Sequence, residues 1–275
     1  MIGDRPQSGL SAAEPIGLDE LNAGAALLRR VDTKYLIGLG QLDGIADHLA
    51  DTHRRLTIGG VSTFAYRTRY LDTAALTCFH AHRQGRRSRY KIRTRCYDDT
   101  GLCRFEVKVK DGRGATDKYT RDIPADEFGA VSPVVADFVA DVLGARYGIA
   151  APVDLTPTLL VAHHRVTLTG RDESSRVTVD TGVTFRAGTT VGVLRPGVAL
   201  VETKSPRGRC HADVLLRRAG AHPVNVSKYC AGMALTQPYL PEQPWRPVLR
   251  RYFTVAAPVA VGRAYVARHG RPEAG

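Results

Sequence analysis

Hydrophobic and polar positions along this chain alternate with two periods, and the switches between them mark its elements. Leu18, Leu21, Ala25 and Leu28 recur at helical spacing, which predicts a helix after a flexible leader over residues 1–16. RVDTKYLIG (Arg30–Gly38) reads as a strand, and Leu42, Ile45 and Leu49 predict a second helix. Extended segments follow at Phe64–Asp72, Tyr90–Tyr97, Leu102–Lys110 and Thr116–Ile123, separated by turns such as Asp98–Gly101 and Asp111–Gly114. Ser132 and Pro133 form an N-cap and first-turn pair, opening a helix whose Val134, Val135, Phe138, Val139, Val142 and Leu143 are expected to face a core. Strands resume at Thr158–Thr169, Arg176–Phe185 and Ala199–Ser205, followed by helices around Ala212–Ala219 and Ser227–Leu235. The Pro-rich PYLPEQPWRP and the Ala/Arg-rich end make residues 237–275 a peripheral extension, partly ordered at best, and leave 17–236 as the domain.

Several of these strands carry charge on one parity and apolar residues on the other. In SRYKIRTRCYDD, Arg89, Lys91, Arg93 and Arg95 share one face, opposite Tyr90 and Ile92. Glu106, Lys108 and Lys110 oppose Phe105, Val107 and Val109, while Glu202 and Lys204 oppose Val201 and Thr203. Arg30, Asp32 and Lys34 repeat the rule, as do Arg67 and Arg69. Two architectures accommodate such strands: an antiparallel sheet with a solvated charged face, or a barrel with a polar interior. Three carboxylates each stand two residues from a lysine (Asp32–Lys34, Glu106–Lys108, Glu202–Lys204). That favours the barrel, because a lumen needs its charges compensated and a wet face does not.

Composition narrows the partners. The 275 residues are 43% hydrophobic and 24% charged, enough for a substantial core, and the formal charge of +12 calls for an acidic partner. The excess is local, since His82 to Arg121 holds 13 Lys or Arg against 5 Asp or Glu. At 7% aromatic residues the stacking platforms of a nucleic-acid binder are sparse, so nucleic acid ranks low. Five cysteines without CxxC spacing indicate neither a disulfide framework nor zinc, and point to a reducing cytoplasm. No signal-peptide core or run of 18 apolar residues is present, so neither export nor a membrane segment is expected. No Walker cradle, GxGxxG or HExxH occurs, and His163 and His164 are read as packing or hydrogen-bonding residues on opposite strand faces. Lys228 in SKYCAG falls at a helix start, where backbone N–H groups favour anions, although a solvated lysine there is equally ordinary.

RVDTKYLI, YRTRYLDT, RYKIRTRCYDD, FEVKVKDGRGATDKYTR, HHRVTL with RVTVD, VETKS and SKYCAG, in that order, resemble the polyphosphate polymerase domain of the vacuolar transporter chaperone (VTC) family. That family belongs to the triphosphate tunnel metalloenzymes, whose CYTH branch includes triphosphatases and class IV adenylate cyclases. The resemblance runs from about Arg30 to Leu235. It implies an α+β fold, an antiparallel β-barrel tunnel with flanking helices, whose basic lining grips phosphates and whose acids hold Mn²⁺ or Mg²⁺. On the matching positions, Lys34, Arg93, Arg95, Lys108, Arg165 and Lys228 would act on the reacting phosphates, and Arg89, Lys91, Lys110, Lys118 and Lys204 would bind the rest of the substrate. Glu202 would be the metal-binding glutamate, with Glu106 either a second carboxylate or a lysine partner. One departure stands out. The triphosphatases open with an ExExK strand, whereas this chain reads Arg30-Val31-Asp32-Thr33-Lys34, which thins the metal site and leaves Asp32 to reach a metal through water.

The resemblance thus implies metal-dependent synthesis of polyphosphate from the γ-phosphate of ATP. A triphosphatase and a non-catalytic polyphosphate-binding module are the alternatives.

Overall fold

The computed structural model describes residues 9–23, 31–110, 116–206 and 208–256, in which the alternating segments pair into one curled sheet. After a 3-10 turn at Gly9–Ala12 come β1 (Pro15–Ile16), α1 (Leu18–Ala23), β2 (Val31–Gly38), α2 (Leu39–Asp43), α3 (Ala46–Thr52) and β3 (His53–Leu56). Next are β4 (Phe64–Asp72), α4 (Thr77–Arg83), β5 (Arg89–Tyr97), β6 (Leu102–Lys110), β7 (Thr116–Ile123) and α5 (Pro133–Tyr147). The chain continues through β8 (Thr156–Gly170), β9 (Arg176–Ala187), β10 (Thr190–Leu194), β11 (Val198–Ser205), α6 (His211–Arg218), α7 (Lys228–Thr236), α8 (Arg246–Tyr252) and β12 (Phe253–Val255). The strands run in the order β12-β10-β9-β8-β4-β5-β6-β7, with β11 bridging β9 to β2. All pairings are antiparallel except that of β1 with β3.

Residues directly opposite in an antiparallel pair present their side chains to the same face. The registers therefore trace one face across the sheet: Lys34 opposes Glu202, Arg165 opposes Asp180, Thr68 opposes Arg95, Arg93 opposes Glu106, and Lys108 opposes both Lys91 and Lys118. This face is concave. β6 and β2 share no hydrogen-bonded pairing, yet Lys108 Nζ lies 3.5 Å from Asp32 Oδ2 across the interior. The mixed-sign alternation thus lines a lumen, and the chain forms an α+β antiparallel barrel.

The convex face is apolar. Tyr35, Val166, Val179 and Val201 pack beneath α2, α3 and α6, and Ile92, Phe105 and Val107 pack beneath Val135, Val139 and Leu143 of α5. Each such side chain contributes about 1.5–3 kcal/mol on burial. A third cluster covers the β8–β9 side of one end of the barrel, where Tyr229, Cys230 and Met233 of α7 meet Leu36, Leu159 and Leu200. Gly232 permits this approach, since a Cβ there would lie 2.5 Å from Phe185 Cδ1 and 2.6 Å from Leu159 Cδ2. The buried Asp72 carboxylate ties β4, α4 and α7 together by accepting the backbone N–H of Cys78 and Phe79 and the Tyr229 hydroxyl.

Several expectations need correction. Residues 237–256 are not peripheral: Leu240, Trp245, Leu249 and Phe253 are core residues, and β12 pairs with β10. Likewise residues 9–16 are part of the fold rather than a flexible leader, with Leu10 buried and Ile16 paired to Leu56. Residues 1–8 and 257–275, Ala25, Leu28 and Arg30, and the Asp111–Gly114 turn lie outside the described residues. A disulfide does form, because Cys96 and Cys103 stand directly opposite in the β5–β6 register with Cα atoms 4.1 Å apart. Val134 is exposed, and the helical stretch at Leu42–Leu49 is split into α2 and α3. Arg67 and Arg69 point outward, where Arg67 pairs with Asp98 and both stack on Phe128, because Tyr66, Thr68 and Tyr70 take the lumen parity of β4. No helix among the described residues is long and apolar enough to cross a membrane.

Candidate active site

The thirteen candidate residues occupy the concave face or its edge, and the structure gathers nine of them into three ion-pair groups. In the first, Lys34 Nζ lies 3.0 Å and Lys204 Nζ 2.9 Å from Glu202 Oε1, while Asp32 receives Lys204 at 3.4 Å and Lys108 at 3.5 Å. Burial opposes charge on both Lys34 and Glu202. The opposite charges win, so Asp32 and Glu202 raise the Lys34 pKa, and Lys204, Lys34 and Lys108 hold the Glu202 carboxyl well below the usual range. Lys108 follows the other sign: burial, with Lys204 and Lys91 nearby, outweighs Asp32 and Glu202 and presses its pKa down to about 8.

The second group centres on Glu106, whose side chain has no exposure. Arg93 Nε donates to its Oε2 at 2.6 Å and Lys118 to its Oε1 at 3.2 Å, so both oxygens are taken. Arg93 also donates to the Tyr70 hydroxyl at 3.2 Å. Arg95 donates Nε to Thr68 Oγ1 at 3.2 Å and lies over the Tyr66 ring.

The third group joins two candidates, Arg165 and Lys228, through a carboxylate that was not anticipated. Asp180, fully buried, accepts a bidentate bond from Arg165 and a bond from Lys228, which stands at the first turn of α7 behind the Ser227 cap. His163 Nε2 lies 3.6 Å from the same carboxylate. The ring is buried, stacked on Tyr66, and among the described residues has no hydrogen-bond partner on either nitrogen. Burial holds its pKa well below the usual value, so it stands neutral. A lone acid in the Val-rich strand RVTVD was the available signal for Asp180, because a carboxylate there requires a cationic partner.

Lys91 differs from Arg93 beside it. It faces the lumen between Arg89 and Arg93, and among the described residues no carboxylate lies within ion-pair distance. Burial lowers its pKa. Arg89 and Lys110 oppose each other where the row ends, and Arg89 Nη1 donates to the Arg86 carbonyl at 2.5 Å.

No three His, Cys, Asp or Glu side chains converge as a metal cage among the described residues. A divalent cation of the Mg²⁺ type needs only one or two carboxylates when substrate phosphates complete its shell. Glu202 and Asp32, which share the Lys204 ammonium, fit that requirement. Glu106 does not: its side chain has no exposure and is held at 2.6 Å by Arg93 and 3.2 Å by Lys118, whereas Asp32 is 24% exposed and meets Lys204 and Lys108 only at 3.4 and 3.5 Å.

The fold is similar to that of HpAC1, a putative adenylyl cyclase from Hippeastrum described as having a dominant triphosphatase activity. Identity is 14%, 78% of this chain and 98% of that chain are covered, and the TM-score is 0.51. A putative adenylate cyclase from Bacillus halodurans aligns at 12% identity over 73% of this chain and 94% of its own, with a TM-score of 0.47. A search of curated proteins finds no match. The VTC domain model matches residues 29–237, which span all three ion-pair groups, and the chain belongs to that family.

Proposed function

We propose that this protein is a phosphotransferase acting on triphosphates, and that it extends inorganic polyphosphate with the γ-phosphate of ATP. The observation that carries the reading is the charge balance of the lumen. Lys34, Lys91, Arg93, Arg95, Lys108, Lys118, Arg165, Lys204 and Lys228 face only Asp32, Glu106, Asp180 and Glu202, and Lys91 and Arg95 have no carboxylate within ion-pair distance among the described residues. A walled-in surplus of cations is costly unless an anion fills it. Membership of the VTC domain family and the barrel fold support a triphosphate as that anion.

Phosphoryl transfer depends on positioning and charge neutralisation more than on a covalent nucleophile. Arg93, Arg95 and Lys108 would hold the phosphates from β5 and β6, and Lys34, Arg165 and Lys228 from the facing wall. Arg89, Lys91, Lys110, Lys118 and Lys204 would bind the remainder of the chain. An oxygen of the acceptor's terminal phosphate attacks Pγ in line while the bond from Pγ to the β–γ bridging oxygen breaks. The acceptor grows by one phosphate, and ADP leaves with the bridging oxygen. The attacking oxygen is already anionic, so no side chain need remove a proton. Mn²⁺ or Mg²⁺ on Glu202 and Asp32 would supply further neutralisation of phosphate charge. Hydrolysis, by contrast, requires a carboxylate to orient water; Glu106 and Asp180 are fully engaged by cations, and Glu202 and Asp32 are taken by the metal in this reading.

The test is incubation of the purified protein with γ-labelled ATP and Mn²⁺, resolving long polyphosphate from free phosphate, with Glu202→Gln and Arg93→Ala beside the parent. Long chains lost in both variants are expected. Free phosphate alone would make the protein a triphosphatase, and tight polyphosphate binding with neither product would make it a binding module.

A further inference from the structure

The cationic row does not stop where the barrel does. Arg89, its last lumen-facing residue on β5, donates to the backbone carbonyl of Arg86, so the α4–β5 loop begins at the edge of the lumen. Arg86 and Arg87 are exposed on that loop. Arg86 Nε binds the neighbouring Gln84 side chain at 2.8 Å, and among the described residues neither arginine has a carboxylate within ion-pair distance. The last turn of α4 adds Arg83, whose charge the helix's terminal carbonyls help to tolerate.

α7 packs on β8 and β9 at this end, leaving the β6–β7 side as the more open one: side-chain exposure rises from 11% at Arg165 and 14% at Lys228 and Arg93 to 37% at Lys108 and 45% at Lys118. Alternate strand residues are ~7 Å apart, so Arg95 to Arg89 spans ~20 Å. A longer polyanion that leaves the row past Arg89 runs beside Arg86 and Arg87.

Resting on the polyphosphate reading above, we propose that the α4–β5 loop is a basic lip that binds a long polyphosphate chain outside the lumen, through Arg86 and Arg87. The ligand is a linear polyanion rather than a lipid surface. Among the described residues, no large apolar side chain between Val61 and Val131 is exposed, whereas a membrane-bound face buries apolar residues beside its cations.

The experiment compares the parent with an Arg86→Ser/Arg87→Ser double variant in equilibrium binding to tripolyphosphate and to polyphosphate of about a hundred units, over a range of salt. Both positions are exposed, and equal melting temperatures would verify folding. Tripolyphosphate affinity is expected to stay within about twofold, while long-chain affinity falls about tenfold. The salt slope for the long chain should flatten by about 1.4, two released contacts at about 0.7 each by analogy with a single-stranded polyanion. Parent and variant with the same long-chain affinity and slope would overturn the lip while leaving the tunnel's function intact. A parent that binds neither ligand overturns both readings. Loss of binding to vesicles containing phosphatidylserine, with polyphosphate binding unchanged, would overturn the lip in favour of a membrane contact.

Discussion

Arg165 grips Asp180 with both arms of its guanidinium, Nε to Oδ1 at 2.6 Å and Nη2 to Oδ2 at 2.8 Å, and Lys228 closes on the same carboxylate from α7. One buried acid therefore orients two cations from different elements. Asp180→Asn adds a positive charge to an anion-binding lumen, and simple electrostatics would predict tighter phosphate binding. The geometry predicts the opposite. Arg165 and Lys228 lose their common anchor, so tripolyphosphate affinity should fall about tenfold, and the fold should lose about 3–5 kcal/mol from uncompensated buried charge. Isothermal titration calorimetry with thermal melts decides this, and tighter binding by the variant would sink the idea that Asp180 positions the clamp.

The same carboxylate sets an acid limit. Burial opposes its ionisation, but Arg165 and Lys228 outweigh burial and hold its pKa well below the ordinary aspartate value. A depressed carboxylate contributes stability that is fully present above its unfolded pKa of about 3.9 and is lost as pH falls toward the folded value. Parent protein should therefore lose stability steeply below about pH 4. Asp180→Asn, with less stability to lose, should show a shallower acid slope in denaturant midpoints measured from pH 6 to pH 3.

Glu106 and Glu202 share a motif-level appearance, each two residues before a lysine, but only Glu202 stands beside a second carboxylate that can join it on a metal. Glu106→Gln should destabilise the fold by about 3 kcal/mol through the uncompensated Arg93 while leaving the metal concentration for half-maximal binding unchanged. Glu202→Gln and Asp32→Asn should each raise that concentration about tenfold. Mn²⁺ titration in the presence of tripolyphosphate separates them, and a Glu106→Gln shift as large as that of Glu202→Gln would return Glu106 to the metal site.

How far the site could be read from the sequence follows from how its strands are built. β5 and β6 were legible because lumen cations alternate with Ile92, Phe105 and Val107, which the convex face needs against α5. Parity reveals that one face is charged and not which face lies inside. Arg67 and Arg69 obey the same alternation, yet they sit outside because Tyr66 and Tyr70 fill the lumen at β4. Short elements gave no period to detect: HRRL of β3 spans four residues and TCFHAHR of α4 seven. Trp245 and Leu249 were masked by the prolines around them, whose restricted backbones read as a tail although their neighbours pack in the core. Asp180 escaped because its partners Arg165 and Lys228 are 15 and 48 residues away, distances at which only the fold brings charges together.

Lys108 makes phosphate binding sensitive to pH near neutrality. Its pKa, pressed down mainly by burial to about 8, rises again when a phosphate approaches, so binding above pH 8 must take up a proton. Tripolyphosphate affinity should fall as pH rises from 7 to 9, and calorimetry in buffers of different ionisation enthalpy should register proton uptake at pH 8.5. Lys108→Gln should bind more weakly at pH 7 and lose that component. For stability the sign is reversed. The unfolded chain holds this proton up to pH 10.4 or so, making burial of the ammonium a cost that is complete below pH 8 and relieved between the two values. With 37% of the side chain in water, that cost is small.

Lys91 carries the sharpest trade between stability and function. It is a lumen cation without a carboxylate in ion-pair distance among the described residues, and burial lowers its pKa, so the empty fold bears the desolvation of its charge. Lys91→Met keeps the length of the side chain and removes that penalty, so the melting temperature of the ligand-free protein should rise, by about 1–2 kcal/mol of stability. The same change removes a phosphate contact from the middle of the β5 row, and tripolyphosphate affinity should drop about tenfold. Ligand would then reverse the ranking, because binding stabilises in proportion to RT ln(1 + [L]/Kd), so at saturating tripolyphosphate the parent should melt higher than the variant. A variant that is less stable without ligand, or that binds as tightly as the parent, would show that Lys91 serves the fold rather than the substrate.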